Sequence, residues 1–147
     1  MLMQRIYFFS DNKIIMENQN IKELLEEAKT IAVFGLSSNT SKPSYKVSSY
    51  MQSKGYKIYP INPNEKEVLG EKSYSNLKEL PEKPDIVDVF RRSETVLEIV
   101  DECIELDIKS IWFQLGVINE EAIEKAKKNG INVIVNKCIF VEHSKYF

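Results

Sequence analysis

Apolar residues in this chain follow two alternating patterns. Short, nearly continuous apolar runs occupy residues 30–35 (TIAVFG), 56–63 (YKIYPINP), 85–90 (DIVDVF), 109–116 (KSIWFQLG) and 131–136 (INVIVN). Around them lie segments 20–29, 44–55, 93–107 and 119–130, whose apolar residues recur every three or four positions. Continuous runs predict strands buried on both faces, and the wider spacing predicts helices with one covered stripe.

Local signals mark the ends of these elements. Asn20 is placed as the cap of the first helix, with Ile21, Leu24, Leu25 and Ala28 on one face. Val47, Tyr50 and Met51 share a face of the second helix, which starts near Pro43 or Ser44 and stops at Gly55. Ser93 is expected to cap the third, and Asn119 the fourth, which is acidic in its first turn, basic in its last and ended by Gly130. Pro60 and Pro63 should end the second strand, and residues 64–84 read as loop with a short helix near 75–80.

Strands that alternate with helices and lack polar alternation predict an α/β fold, a doubly wound parallel five-stranded sheet with helices on both faces. With the first strand central, the expected order is 3-2-1-4-5. Residues 1–19 fit this scheme poorly. The run RIYFF could form a short strand, but SDNK breaks it at once, and Met16 is a candidate native start. The expected organisation is therefore an N-terminal extension over 1–19 and one domain over 20–147.

In such sheets ligands sit beyond the carboxyl ends of the strands. Five tips should then converge: GLSSNTSKPSYK after the first strand, NPNEK after the second, RRSE after the third, QLGVINE after the fourth and NKC after the fifth. Gly35 allows a close turn, the following serines offer hydroxyl donors, and the helix after Pro43 points its positive end into the crevice. Lys42, Lys46, Lys66, Arg91, Arg92 and Lys137 add local positive charge. Taken singly, each feature also describes a tight turn or a solvated helix face. Together they point to a polyanionic ligand.

Composition narrows the classes. The chain has 147 residues, 43% hydrophobic and 29% charged, with a formal net charge of −2. Its length suits one domain with a real core, and no global basic field points to nucleic acid. Two separated cysteines, Cys103 and Cys138, indicate neither a disulfide framework nor a zinc site. No apolar run reaches the ~18–20 residues of a membrane span, and the start lacks the features of a signal peptide. A cytoplasmic setting is the expectation.

The blocks IAVFGLSSNTSKPSYKV, YPINPNEK, DIVDVFRRSE, IWFQLGVINEEA and NKCIFVEH, in that order, resemble the small stand-alone CoA-binding proteins. Those proteins are similar in turn to the N-terminal domain of the succinyl-CoA synthetase alpha subunit. The resemblance covers about residues 21–143. It implies a Rossmann-like domain that holds CoA or acyl-CoA through its ADP part. The phosphates would be received by Gly35, Leu36, Ser37, Ser38, Lys42, Ser44 and Tyr45. Asn62, Pro63 and Lys66 would lie by the adenosine. Phe90, Arg91, Arg92 and Ser93 would border the nucleotide, and Gln114, Leu115 and Gly116 would line the pantetheine side.

The residues agree with that implication. A dinucleotide fingerprint needs three glycines in the first turn and an acid closing the second strand, and both are missing. The synthetase's phosphorylated histidine lies in a further domain, and the single histidine here, His143, reads as a surface or edge residue. Cys138 could face the thiol end of a ligand but reads first as a small buried hydrophobe, and Cys103 as core. Asp85 should start the third strand, with Asp88 buried and hydrogen-bonded inside the sheet. No catalytic or metal-binding set emerges. The leading expectation is a CoA-binding module without catalysis of its own. The alternatives are an NAD(P)-binding redox enzyme or sensor, and a protein-interaction subunit with a vestigial pocket.

Overall fold

The computed structural model describes residues 18–147. The expected RIYFF strand and the Met16 start lie outside the described residues. Strands β1 (Thr30–Phe34), β2 (Lys57–Ile61), β5 (Ile86–Val89), β6 (Ser110–Phe113) and β7 (Asn132–Val135) form one parallel sheet, and β3 (Glu67–Val68) pairs with β4 (Glu71–Lys72) in a small antiparallel hairpin. The helices are α1 (Asn18–Glu27), α2 (Pro43–Ser53), α3 (Val96–Glu105), α4 (Glu120–Lys128) and α5 (Ile139–Tyr146).

The doubly wound α/β sheet stands as expected, but its order is β2-β1-β5-β6-β7. The third long strand, β5, pairs with β1 and not outside β2. Pro60 supplies the reason. It lies inside β2 instead of ending it. Its carbonyl accepts from Tyr74 N–H on the side away from β1, so its absent N–H would also have faced that side. Only a single-residue bridge, Ile61 with Tyr74, forms there, leaving the other flank of β1 for β5. If that bridge is counted as a third position, the order 3-2-1-4-5 reappears with β5, β6 and β7 each moved on by one.

Alternate residues of each strand feed two cores. Ala32, Phe34, Val87, Val89, Ile111 and Phe113 pack under α3 and α4, against Val96, Val100, Cys103, Ala122 and Ala126. Ile31, Val33, Ile86, Trp112 and Ile134 pack under α1, α2 and α5, against Ile21, Leu25, Val47, Met51 and Ile139. Each buried aliphatic of this kind contributes roughly 1.5–3 kcal/mol relative to exposure.

Several local expectations are corrected. Asn20 lies inside α1, which is already helical at Asn18. Asn119 does cap α4, accepting from Ala122 N–H at 3.0 Å. Ser93 caps nothing: it opens a short 3-10 turn, Ser93–Thr95, and its hydroxyl bonds the β6–α4 loop instead. The expected short helix near 75–80 is a 3-10 turn, Leu77–Glu79, capped by Asn76.

The expected set of elements lacked α5, where His143 is buried rather than at the surface. The Tyr50 hydroxyl meets His143 Nδ1 at 3.0 Å, and the Tyr50 ring contacts Phe140 edge-on at 4.3 Å. Burial, then Lys54, lowers the His143 pKa below its ordinary 6.5. A lowered histidine pKa means that the unfolded chain binds the proton first, so stability falls as pH drops through the unfolded value. We expect the stability advantage of wild type over His143→Gln to shrink as pH falls from 7.5 to 5, measured by urea denaturation. A pH-independent difference would contradict the buried neutral imidazole.

Candidate functional site

Beyond the carboxyl ends of β1, β5 and β6 lies an open cleft of about 680 Å³. The turn after β1 forms one wall with Gly35, Ser37, Lys42 and Ser44. The turn after β5 adds Phe90, Arg91, Arg92 and Ser93 to the lining, and Gln114, Leu115 and Gly116 join it from the end of β6. These eleven sequence-predicted residues therefore share one cleft. Its size falls within the roughly 300–1,000 Å³ usual for small-molecule sites.

Gly35 makes this arrangement fit. Its φ is +83°, and a Cβ there would stand 2.1 Å from the Phe90 carbonyl oxygen. The close approach expected at this glycine was to a ligand; the structure shows the backbone after β5 in that space. Gly35 N–H also donates to Ile61 O at 2.9 Å, and Phe90 N–H to Phe34 O at 2.9 Å. Neighbouring tips are pinned on both sides of β1.

The turn from Ser37 to Ser44 is largely self-bonded. Ser37 N–H donates to the Ser44 hydroxyl oxygen at 3.1 Å, and Asn39 N–H to the Ser37 hydroxyl oxygen at 3.0 Å. No side chain caps the start of α2 at Lys42, and Pro43 occupies its first turn. That leaves the positive end of the helix dipole open toward the cleft. Arg91 is half-buried, and desolvation lowers its pKa, though a guanidinium remains charged. Lys42 and Arg92 are exposed.

Six predicted residues do not line the cleft. Leu36 is fully buried and Tyr45 packs against the core under α2. Ser38 gives both its N–H and its hydroxyl to Glu65 Oε2, at 2.8 and 2.9 Å. Asn62 is buried, donating from Nδ2 to Leu36 O and accepting from Asn64 N–H. Pro63 and Lys66 are exposed outside the lining. The tips after β2 and β7 therefore brace the cleft instead of forming it. Asn136 belongs to this bracing, since its Oδ1 accepts from Gly116 N–H at 2.8 Å. Lys137 and Cys138 are absent from the lining, and Cys138 packs toward the core under α5.

Two acids were missed as site residues. Glu94 lines the cleft beside Arg92, within a turn whose sequence already carried the segment RRSE. Asp88 lies beneath Gln114, whose Nε2 donates to Asp88 Oδ1 at 2.6 Å. Burial pushes the Asp88 carboxyl up to about 7, opposed by hydrogen bonds from Gln114 and the Val89 backbone. An acid raised in the fold destabilises it as pH climbs from the unfolded value, 3.8, through the folded one, and the full cost is present above 7. Asp88→Asn should therefore gain stability relative to wild type between pH 5 and 8, followed by thermal unfolding. Gly35→Ala should lose about 2 kcal/mol or more from strained φ and the Phe90 carbonyl. An unchanged urea midpoint would refute that packing.

Among the described residues no group of acids, histidines and cysteines could hold a metal, and no helix is long and apolar enough to cross a membrane.

Comparison with known proteins bears on the same segments. The model of the CoA binding domain matches residues 29–144. The chain is 46% identical over 124 residues to the uncharacterised protein YneT of Bacillus subtilis, covering 84% of this chain and 92% of that protein. It is 30% identical over 120 residues to the alpha subunit of an ADP-forming acetate–CoA ligase II of Pyrococcus furiosus, covering 74% of this chain but 26% of that subunit. A solved hypothetical protein of Pyrococcus horikoshii superposes with a TM-score of 0.87 at 32% identity, covering 99% of both chains. The expected likeness to the CoA-binding domain of a synthetase alpha subunit holds, with ADP-forming acetate–CoA ligases as the matched relatives in place of succinyl-CoA synthetase. With the family model spanning β1 through α5, the chain belongs to the CoA-binding domain family.

Proposed function

We propose that the protein binds CoA or an acyl-CoA in the cleft beyond β1, β5 and β6, through the phosphate-bearing half of the ligand, as a binding module without a reaction of its own. The observation that carries this reading is one cleft lined with cations from two separate turns. The uncapped start of α2 with Lys42 comes from the turn after β1, and Arg91 with Arg92 from the turn after β5. A phosphate-rich ligand between them gains charge-assisted hydrogen bonds and the helix dipole together. Membership of the CoA-binding domain family and likeness to a CoA ligase subunit support the same ligand.

In this reading each part of the lining takes a part of the ligand. Phosphates lie by Ser37, Ser44 and Lys42, whose backbone surroundings are already folded into a fixed turn. The pantetheine arm runs along Gln114 and Gly116, with the exposed Leu115 at its edge. Asn62, Pro63 and Lys66 keep at most an outer role near the adenosine.

Isothermal titration calorimetry is the test. CoA should bind with micromolar or tighter affinity, and dephospho-CoA more weakly. Lys42→Ala and Arg92→Ala should each weaken CoA by about 1–3 kcal/mol. Tight binding of NADH with none of CoA would overturn the reading, and unchanged affinity in both variants would overturn the placement of the cations.

A further inference from the structure

Asp88 is a carboxylate inside the sheet, 1% exposed, in register between Val33 of β1 and Trp112 of β6. Its bonded neighbour Gln114 is 3% exposed and lines the cleft. A primary amide has two ends of opposite sense: its NH₂ donates and its carbonyl accepts. Here the NH₂ is committed to Asp88 Oδ1, so the carbonyl oxygen is the end left for the cleft. Among the described residues no group donates to it. Nor is it among the sealed side-chain atoms without partners, which are Ser48 Oγ and Glu142 Oε1. The wall therefore carries a held, unpartnered acceptor.

We propose that Asp88 is a positioning residue: by holding the Gln114 NH₂ group it turns the Gln114 carbonyl oxygen toward the cleft, where it accepts from an N–H of the ligand's amide-bearing arm. This rests on the CoA reading above, since the pantetheine arm supplies such amides. The same geometry gives the contact a polarity that one proton reverses. Ionised, Asp88 can only accept, and it fixes the amide as seen. Protonated from solvent, it gains an O–H that donates to the Gln114 carbonyl, the amide turns over, and its NH₂ faces the ligand's N–H. Two donors then oppose each other in a desolvated wall.

The proton is exchanged near neutrality, because burial raises the Asp88 carboxyl to about 7. Gln114, just after β6, and the Val89 N–H of β5 act against that rise, and no charged side chain among the described residues contributes. The charged groups on the neighbouring walls are Lys42, Arg91, Arg92 and Glu94, which line the cleft itself.

Two measurements test the proposal. In the free wild-type protein, the Gln114 side-chain ¹⁵N–H₂ signals should shift with a midpoint near pH 7, and in Asp88→Asn they should not titrate. CoA affinity should then be compared between wild type and Asp88→Asn at pH 5.5 and 8.5. The 3′-phosphate of CoA titrates in the same window, so the affinity ratio between the two proteins isolates Asp88. That ratio should change by about tenfold, in favour of wild type at the higher pH. Gln114 signals that do not titrate would overturn the proposal, as would a ratio constant within about twofold. If the signals titrate but CoA does not bind, the assignment of CoA fails while Asp88's hold on Gln114 is supported.

Discussion

The carbonyl of Phe90 occupies the space where any other residue at position 35 would carry its Cβ. The cleft depends on that contact. With no side chain in the way, the ends of β1 and β5 close to backbone distance, and the ladder continues one step past the strands through Phe90 N–H and Phe34 O. The chain then diverges in two directions from a single point. One branch climbs into the serine-rich turn and α2, and the other into Arg91–Ser93 and α3. Two positively charged segments, far apart in sequence, come to line one space.

Behind the walls, polar residues do the bracing. Asn62 holds the carbonyl of Leu36, Glu65 holds Ser38, and Asn136 holds Gly116. Each joins a loop to the tip of a different strand, so the rim is fixed by side-chain bonds where the sheet's own hydrogen bonds have run out. Ser38 and Asn62, expected to lie at the ligand, sit behind the cleft lining with their polar atoms bonded to Glu65 and Leu36.

The five strands of the parallel sheet and four of the helices were legible because their apolar periodicity matched their burial, whereas the two-residue strands β3 and β4 lie in a stretch read as loop. Helix α5 was not, because its inward face carries Glu142 and His143 beside Ile139, and polar letters at buried positions erase the amphipathic signature. The order of the sheet was misread at one strand although Pro60 was in view, since its meaning depends on which side its missing N–H would face. Membership of the cleft was readable from the rule that ligands gather at strand ends, and for β1, β5 and β6 it named the lining. It could not separate lining from bracing at Ser38 or Asn62, because their partners Glu65 and Leu36 lie 27 and 26 residues away. Asp88 was recognised as buried, but its link to Gln114 appears only once β5 and β6 are aligned.

The single-residue bridge at Tyr74 bears on how this molecule meets its neighbours. An open strand edge is a template on which a second chain can extend the sheet, the usual beginning of fibrous association. On the β2 side that template is spoiled twice over. Pro60 offers no donor, and the outward groups beside it are spent on Tyr74. Extension of the sheet from that flank would have to dislodge the bridge and still find a gap in the ladder at Pro60.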